Sequence, residues 1–382
     1  MFKRKKGIIF FILLSFFVVL SANIKNVDLN KRAIIIGLGV DRTVDMYELT
    51  IQTYVAKQLS DSSPDASKAL TVSAAGRTVG EAAAALNVKT GKTLSFALCY
   101  VVIFGAGAAE GGIMDAIDFL INKSDTASSA ALLYTGGTAK DIMKIESPIN
   151  ASGMLLAHDM LSDKRNKNYD AKTLKDFYAD YFSRSAASVM PVLRKTEGGR
   201  DEESNNDSEN DREKKEYYEI SSLAVFKKDK FAFETDAGET AAFSMLSGGK
   251  ARSVFSADLE CGRVTFEVAG KRLREKYVMG GADGGAAYRA EIKLSLKVSE
   301  IADGERTAAN VASLTRGEKN AAAERLKADM LSLIEKCGAS GADILFLNDK
   351  FYRRFGNKWK TETDGDYFSN ISKEISVKIE TV

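Results

Sequence analysis

The chain has 382 residues, 45% hydrophobic and 28% charged, which is enough for more than one core and excludes a collagen-like, disordered or multi-pass membrane protein. Its net charge of +2 becomes −2 once Lys3, Arg4, Lys5 and Lys6 are set aside, so the body lacks the basic surplus of a nucleic-acid binder. Cys99, Cys261 and Cys337 are odd in number and far apart; they provide neither a disulfide framework nor a zinc knuckle and read as small buried hydrophobes.

The N-terminus sets the compartment. The basic cluster precedes an uncharged apolar run, Gly7–Leu20, followed by Ser21, Ala22 and Asn23. Basic, apolar and small residues in that order form the secretory pattern. The 16 residues from Gly7 to Ala22 would span about 24 Å as a helix, short for a comfortable membrane crossing. Residues 1–22 are therefore a cleaved signal or a retained anchor. In both cases the basic end stays cytoplasmic and the rest is exported.

Three regions follow: 28–194, a polar stretch at 195–216, and 217–382. The stretch 195–216 has no aliphatic or aromatic residue, so it has nothing to bury against the entropy of ordering and reads as a solvated linker or long loop. In the first region Arg32–Val40 and Met46–Ala56 predict a hairpin turned at Asp41–Asp45. Tyr47, Leu49 and Ile51 alternate with Glu48, Thr50 and Gln52 on the opposite face. Thr78 and Glu81 have the capping-box spacing and open a helix to about Val88. A buried strand is expected at Leu98–Phe104 and an amphipathic helix at Gly111–Ile121. A strand near Ala130–Tyr134, a helix near Ala139–Ile145 and a helix over Ala171–Phe182 complete the region.

After the polar stretch, Tyr217–Phe226 and Lys230–Phe233 predict a hairpin, and Ala237–Leu246 a short helix. Arg263–Val268, Leu273–Val278 and Tyr288–Val298 predict strands of one sheet. In the last of these Glu291, Lys293, Ser295 and Lys297 alternate with Ile292, Leu294, Leu296 and Val298, giving one wet and one buried face. Thr315 and Glu318 form a second capping box for a helix to about Cys337. A helix near Ala342–Phe355 and a strand at Ile375–Thr381 close the chain. Strands and helices mix without a regular βαβ repeat, so the class is α+β with mainly antiparallel sheets.

Residue types that mark common enzymes are sparse. His158 is the only histidine and no GxSxG elbow accompanies it, so it reads as a surface or packing residue rather than a triad member. One histidine cannot supply HExxH zinc chemistry. Leu98–Phe104 runs into Gly105-Ala106-Gly107, but the third glycine falls at Gly111 and breaks the dinucleotide fingerprint. Gly280–Gly285 reads as a flexible hairpin loop. No metal, cofactor or catalytic residue is assigned.

Three segments resemble one known family. Asp28–Asp41, with Ala33-Ile34-Ile35-Ile36-Gly37-Leu38-Gly39-Val40-Asp41, is similar to the opening "AIVxGIGID"-like strand of the Ger(x)C family of spore germination proteins. Ala224–Lys230 resembles that family's "AVFKxDKL" hairpin, with Glu239-Thr240 where the family has a similar acidic helix start. Gly341-Ala342-Asp343-Ile344-Leu345, Phe355, Trp359-Lys360 and Phe368 resemble its closing "DxxGFG…P..W…F" pattern. The resemblance implies a mixed α/β protein of about three small domains, the C subunit of a nutrient germinant receptor. Such a subunit sits on the extracytoplasmic face of the spore inner membrane with A-type and B-type multi-pass subunits, and no catalytic residue is implied. Two departures stand out. Ser21, Ala22 and Asn23 occupy the place of the family's lipobox cysteine, which favours tethering by an uncleaved helix over a lipid. Gly356-Asn357-Lys358, not proline, precede Trp359. Trp359, the sole tryptophan, is read first as packing for the last sheet and second as a partner-binding anchor. The alternatives are an exported solute-binding protein and a carboxylate-dependent envelope hydrolase.

Overall fold

A computed structural model describes residues 15, 31–53, 69–123, 125–145, 152–163, 170–197, 216–248, 254–280, 285–302, 314–359 and 367–381. Residues 1–14 and 16–30, and with them Ser21, Ala22 and Asn23 and the signal-or-anchor reading, lie outside the described residues.

The run RAIIIGLGV forms β1 (Arg32–Arg42), with Ile35, Ile36, Leu38 and Val40 all buried. An apolar run without alternation belongs to a strand covered on both faces. Accordingly β1 sits inside a sheet. It pairs antiparallel with β2 (Tyr47–Thr53), as the hairpin prediction requires, and β2 pairs with β3 (Leu70–Gly76). On its other side β1 pairs in parallel with β4 (Thr93–Ser95) and β5 (Val101–Phe104). β6 (Ala131–Tyr134), β7 (Ala187–Glu197), β8 (Glu216–Lys227) and β9 (Lys230–Glu234) complete the order β3-β2-β1-β5-β6-β7-β8-β9. The centre of this sheet, β1-β5-β6-β7, is parallel.

Helices cover both faces. On one side lie α1 (Val79–Thr90), α2 (Ala106–Gly111), α3 (Met114–Asn122) and, past β6, the helix Leu174–Tyr181. On the other lie α4 (Ala139–Met143) and α5 (Gly153–Ser162); Leu174–Tyr181 is α6. The second face explains why the polar side of β2 is not wet. Gln52 donates to the Met143 carbonyl and accepts from Ser152, and Thr50 is bonded to Ser73, all under α4 and α5. The helix expected at Gly111–Ile121 starts at Met114, because the chain turns at Gly112 with φ 108°, a conformation only glycine takes without strain, and Gly111 closes the preceding helix α2. The strand expected from Leu98 starts at Val101.

β10 (Val254–Leu259), β11 (Gly262–Met279), β12 (Ala286–Ala302) and β13 (Ile371–Thr381) form a second sheet in that order. The two strands expected at Arg263–Val268 and Leu273–Val278 are one. A bulge between Val268 and Gly270 flips the phase, so Val264, Phe266 and Val268 face inward before it and Leu273 and Tyr277 after it. The wet and dry faces of β12 are as the alternation predicts. α7 (Ala237–Leu246), α8 (Arg316–Ser340), α9 (Leu347–Phe355) and α10 (Tyr367–Asn370) lie with one face of this sheet in a single core, which also takes in Ala187, Val189 and Val225 of the first sheet. Among the described residues antiparallel pairings outnumber parallel ones, and the protein is mixed α/β.

The polar stretch is narrower as a break than its composition implies. Lys195, Thr196 and Glu197 pair with Tyr218, Tyr217 and Glu216 in the β7–β8 ladder, and Lys195 forms an ion pair with Glu216. Ladder hydrogen bonds come from the backbone and are indifferent to polar side chains. Residues 198–215 lie outside the described residues. β8 and β9, which follow the stretch, belong to the first sheet.

Candidate functional site

Open α/β sheets bind ligands beyond the carboxyl ends of their parallel strands. Here that crevice is filled by the protein's own acids. Asp41, at the end of β1, accepts from the Ala139 and Lys140 N–H groups at the start of α4, at 2.7 and 2.9 Å. Burial pushes its carboxyl above the usual range, and these two hydrogen bonds oppose that shift. Gly105 is required beside it, since a Cβ there would collide with the Asp41 carboxylate. Asp229, in the β8–β9 turn, accepts from Met114 N, while its own carbonyl accepts from Ile113 N at 3.0 Å. At the strand–Gly-x-Gly–helix segment itself, the Gly137 carbonyl accepts from Ala106 N at 2.9 Å and the Asp41 carboxylate abuts Gly105.

Glu239 repeats the pattern one layer on. It completes the capping box of α7 with Asp236 and, though only 1% exposed, accepts from Ser332 and pairs with Lys336 of α8 at 2.7 Å. The box rivets α7 to α8.

The largest convergence surrounds Asp343, which is fully buried. α9 begins after Phe346, which is left-handed at φ 55° and offers no side-chain cap. Asp343 supplies that cap. Its oxygens accept from Leu347 N at 3.0 Å and Asn348 N at 2.9 Å, where the helix dipole also favours an acid. The Ser185 hydroxyl at 2.7 Å and the Tyr367 hydroxyl at 3.0 Å donate to the same carboxyl. Asn348 extends the network by donating to the Arg184 carbonyl and accepting from Trp359 Nε1 at 2.8 Å. Asp349 accepts from Arg184 N and Ser185 N, and the Arg184 guanidinium lies 3.5 Å from the Tyr352 ring centroid. The Tyr367 hydroxyl is pushed up by burial and then by Asp343. Chemically this is a clamp: the loop after α6 is held onto α9 and α10, joining the two sheets.

Trp359 belongs to the clamp. It is half-buried and packs on Phe351 at 4.7 Å between ring centroids, at the margin of the C-terminal core. Phe368, the last residue of the closing pattern, is buried under the Lys373 ammonium. Asp343, Trp359 and Phe368, separated in sequence, are therefore one constellation. Sequence reading missed Ser185, Arg184 and Asn348, and it placed Asp343 inside the helix expected near Ala342–Phe355, which starts only at Leu347.

The remaining reactive groups lie elsewhere. His158 sits on α5 against Tyr100 at 4.9 Å, with Nδ1 buried and unpartnered among the described residues. Cys99, Cys261 and Cys337 are buried, and burial pushes the Cys99 and Cys337 thiols up to about 12, which keeps them unreactive. Among the described residues no group of three or more His, Cys, Asp or Glu side chains is arranged for a metal ion, and no helix is long and apolar enough to cross a membrane.

Lys271 gives a pH signature. Its ammonium donates to the Ser244 and Ser247 carbonyls at the end of α7, and burial lowers it from 10.5 to about 8. Between those values the unfolded chain holds more protons than the folded one, so stability should rise with pH through that window. Lys271→Met is expected to remove the rise, as read from urea midpoints measured across it; an unchanged slope would assign it to another group.

Family profiles match both halves of the chain: "Spore germination protein N-terminal domain" over residues 25–195 and "Spore germination B3/GerAC like, C-terminal" over residues 221–382. The chain belongs to the GerAC-like family of spore germination proteins. Its fold is similar to that in the crystal structure of the GerBC protein, with a TM-score of 0.55 at 14% identity, covering 91% of this chain and 97% of that one. No curated protein sequence matches it. In this GerAC-like chain the described acids of the family-resembling segments, Asp41, Asp229, Glu239 and Asp343, all accept backbone N–H groups at helix starts.

Proposed function

We propose that the protein is the C subunit of a spore germinant receptor, acting by assembly and conformational coupling rather than by catalysis. The family match over both halves carries the reading. It is supported by the way the motif carboxylates are used: each is engaged by helix N–H groups or neighbouring side chains, which leaves it without the free geometry of a general acid or base. In this reading residues 1–22 tether the chain to the spore inner membrane, the body lies on its extracytoplasmic face, and A-type and B-type multi-pass subunits are the partners. Regions 28–194 and 217–382 are the two halves of the subunit, and the exposed edge of Trp359 is a candidate partner contact.

The test is purification of tagged full-length protein from detergent-solubilised spore membranes. Co-purification of multi-pass germinant-receptor subunits is the expected result. A protein that emerges alone, cleaved after Ala22 and freely soluble, would overturn the assembly and favour an exported solute binder or envelope hydrolase.

A further inference from the structure

The outer face of the second sheet carries an unbalanced charge array. β11, β12 and β13 place Arg272, Lys293 and Lys378 directly across from one another in one rank. Two ranks along, Lys276 lies across from Arg289, with Arg274 between on β11. Like charges directly opposite in a sheet are destabilising, so a rank of three cations is maintained against the stability of the sheet. Two carboxylates share these three ranks. Glu374 holds Arg289 at 2.8 Å, and Glu291 lies 3.8 Å from Lys378. Among the described residues no carboxylate is within ion-pair distance of Arg272, Arg274, Lys276 or Lys293. Six cations against two acids leave a surplus of four on a patch about 10 Å by 14 Å, whereas the whole body of the chain beyond Lys6 sums to −2.

The shape and composition of the face select the partner. It is a sheet surface whose aromatics, Tyr277 and Tyr288, point the other way, toward Phe351 and α9. The face therefore lacks the aromatic anchors of a protein interface. A layer of phosphodiester headgroups needs only diffuse positive charge within a Debye length. The basic-apolar segment Lys3–Leu20 keeps the chain beside such a layer at high effective concentration. We propose that the outer face of the β11-β12-β13 sheet docks on anionic phospholipid headgroups and fixes how the body lies on the membrane. This rests on the membrane tether proposed above.

All three native cysteines are buried, so Ser376→Cys, exposed in the middle rank of the face on its edge strand β13, can be labelled alone with an environment-sensitive fluorophore. Full-length labelled protein is placed in phosphatidylcholine vesicles with and without phosphatidylglycerol. The expected result is shielding of the label from aqueous quencher in anionic vesicles, reversed by salt. Combined Arg272→Glu, Arg274→Glu and Lys293→Glu should weaken the docked state by about tenfold or more while circular dichroism stays native. Equal quenching in both vesicles overturns the proposal, as does shielding that appears only on adding an acidic polypeptide. If the chain fails to remain with zwitterionic vesicles, the tether fails. Recruitment by anionic vesicles alone then still sustains the docking face, and no recruitment sinks it.

Discussion

Asp343→Ala is expected to lower the unfolding free energy by about 3–5 kcal/mol. The substitution strips the acceptor from two helix N–H groups and two hydroxyls at once, in a site closed to water. Buried donors without an acceptor keep their full desolvation penalty, and four of them exceed the loss of any single bond. Asp343→Asn retains one carbonyl oxygen and should cost clearly less, because an amide can still accept at one position but presents donors at the other. Urea unfolding of the two variants beside the wild type decides the matter. A loss below about 1 kcal/mol for alanine, in the range of an ordinary surface change, would mean that the clamp is not what holds α9.

Phe351→Ala should have a comparable effect, about 3–5 kcal/mol, through the cavity it leaves. The ring is fully buried and touches Tyr277, Phe355 and Trp359, so its removal unseats both the inner face of β11 and the sole tryptophan. Trp359→Phe provides the contrast. It keeps an aromatic face on Phe351 but deletes the Nε1 hydrogen bond to Asn348, a loss of about 1 kcal/mol. Tryptophan fluorescence of Phe351→Ala should shift to the red as the indole becomes wetter. If Trp359→Phe instead leaves stability unchanged and abolishes co-purification with membrane subunits, the partner-anchor role of Trp359 outweighs its packing role.

Local chemistry made many elements legible. Thr315 with Glu318 and the register of Ile292, Leu294 and Leu296 announce α8 and β12 because capping and alternation are carried by neighbours in sequence. The Asp236–Glu239 box of α7 is seen in the structure alone. What stayed hidden is non-local. The parallel centre β1-β5-β6-β7 depends on which strands meet. The bulge at Val268 and Gly270 disguised one strand as two. β7 was missed because its polar end, Lys195–Glu197, looks like the linker that follows. α5 was missed because Gly153 and Ser162 bracket a short run with polar His158 and Asp159 in its middle. The candidate site was legible only in part. Asp343, Trp359 and Phe368 stood out through a resemblance, whereas Ser185 and Arg184 come from a loop with no signal of its own.

The place of β8 and β9 has a consequence for how the chain is made. Synthesis runs from the N-terminus, so β7 exists before its antiparallel neighbour β8 has been translated, and its backbone edge stays open until Lys227 is available. An open edge flanked by Val189, Met190 and Val192 is where another unfinished copy would pair. The later half of the sequence therefore acts as a guard for the earlier half. A truncation ahead of Glu216, which removes β8, should yield a sticky remnant rather than a working N-terminal piece.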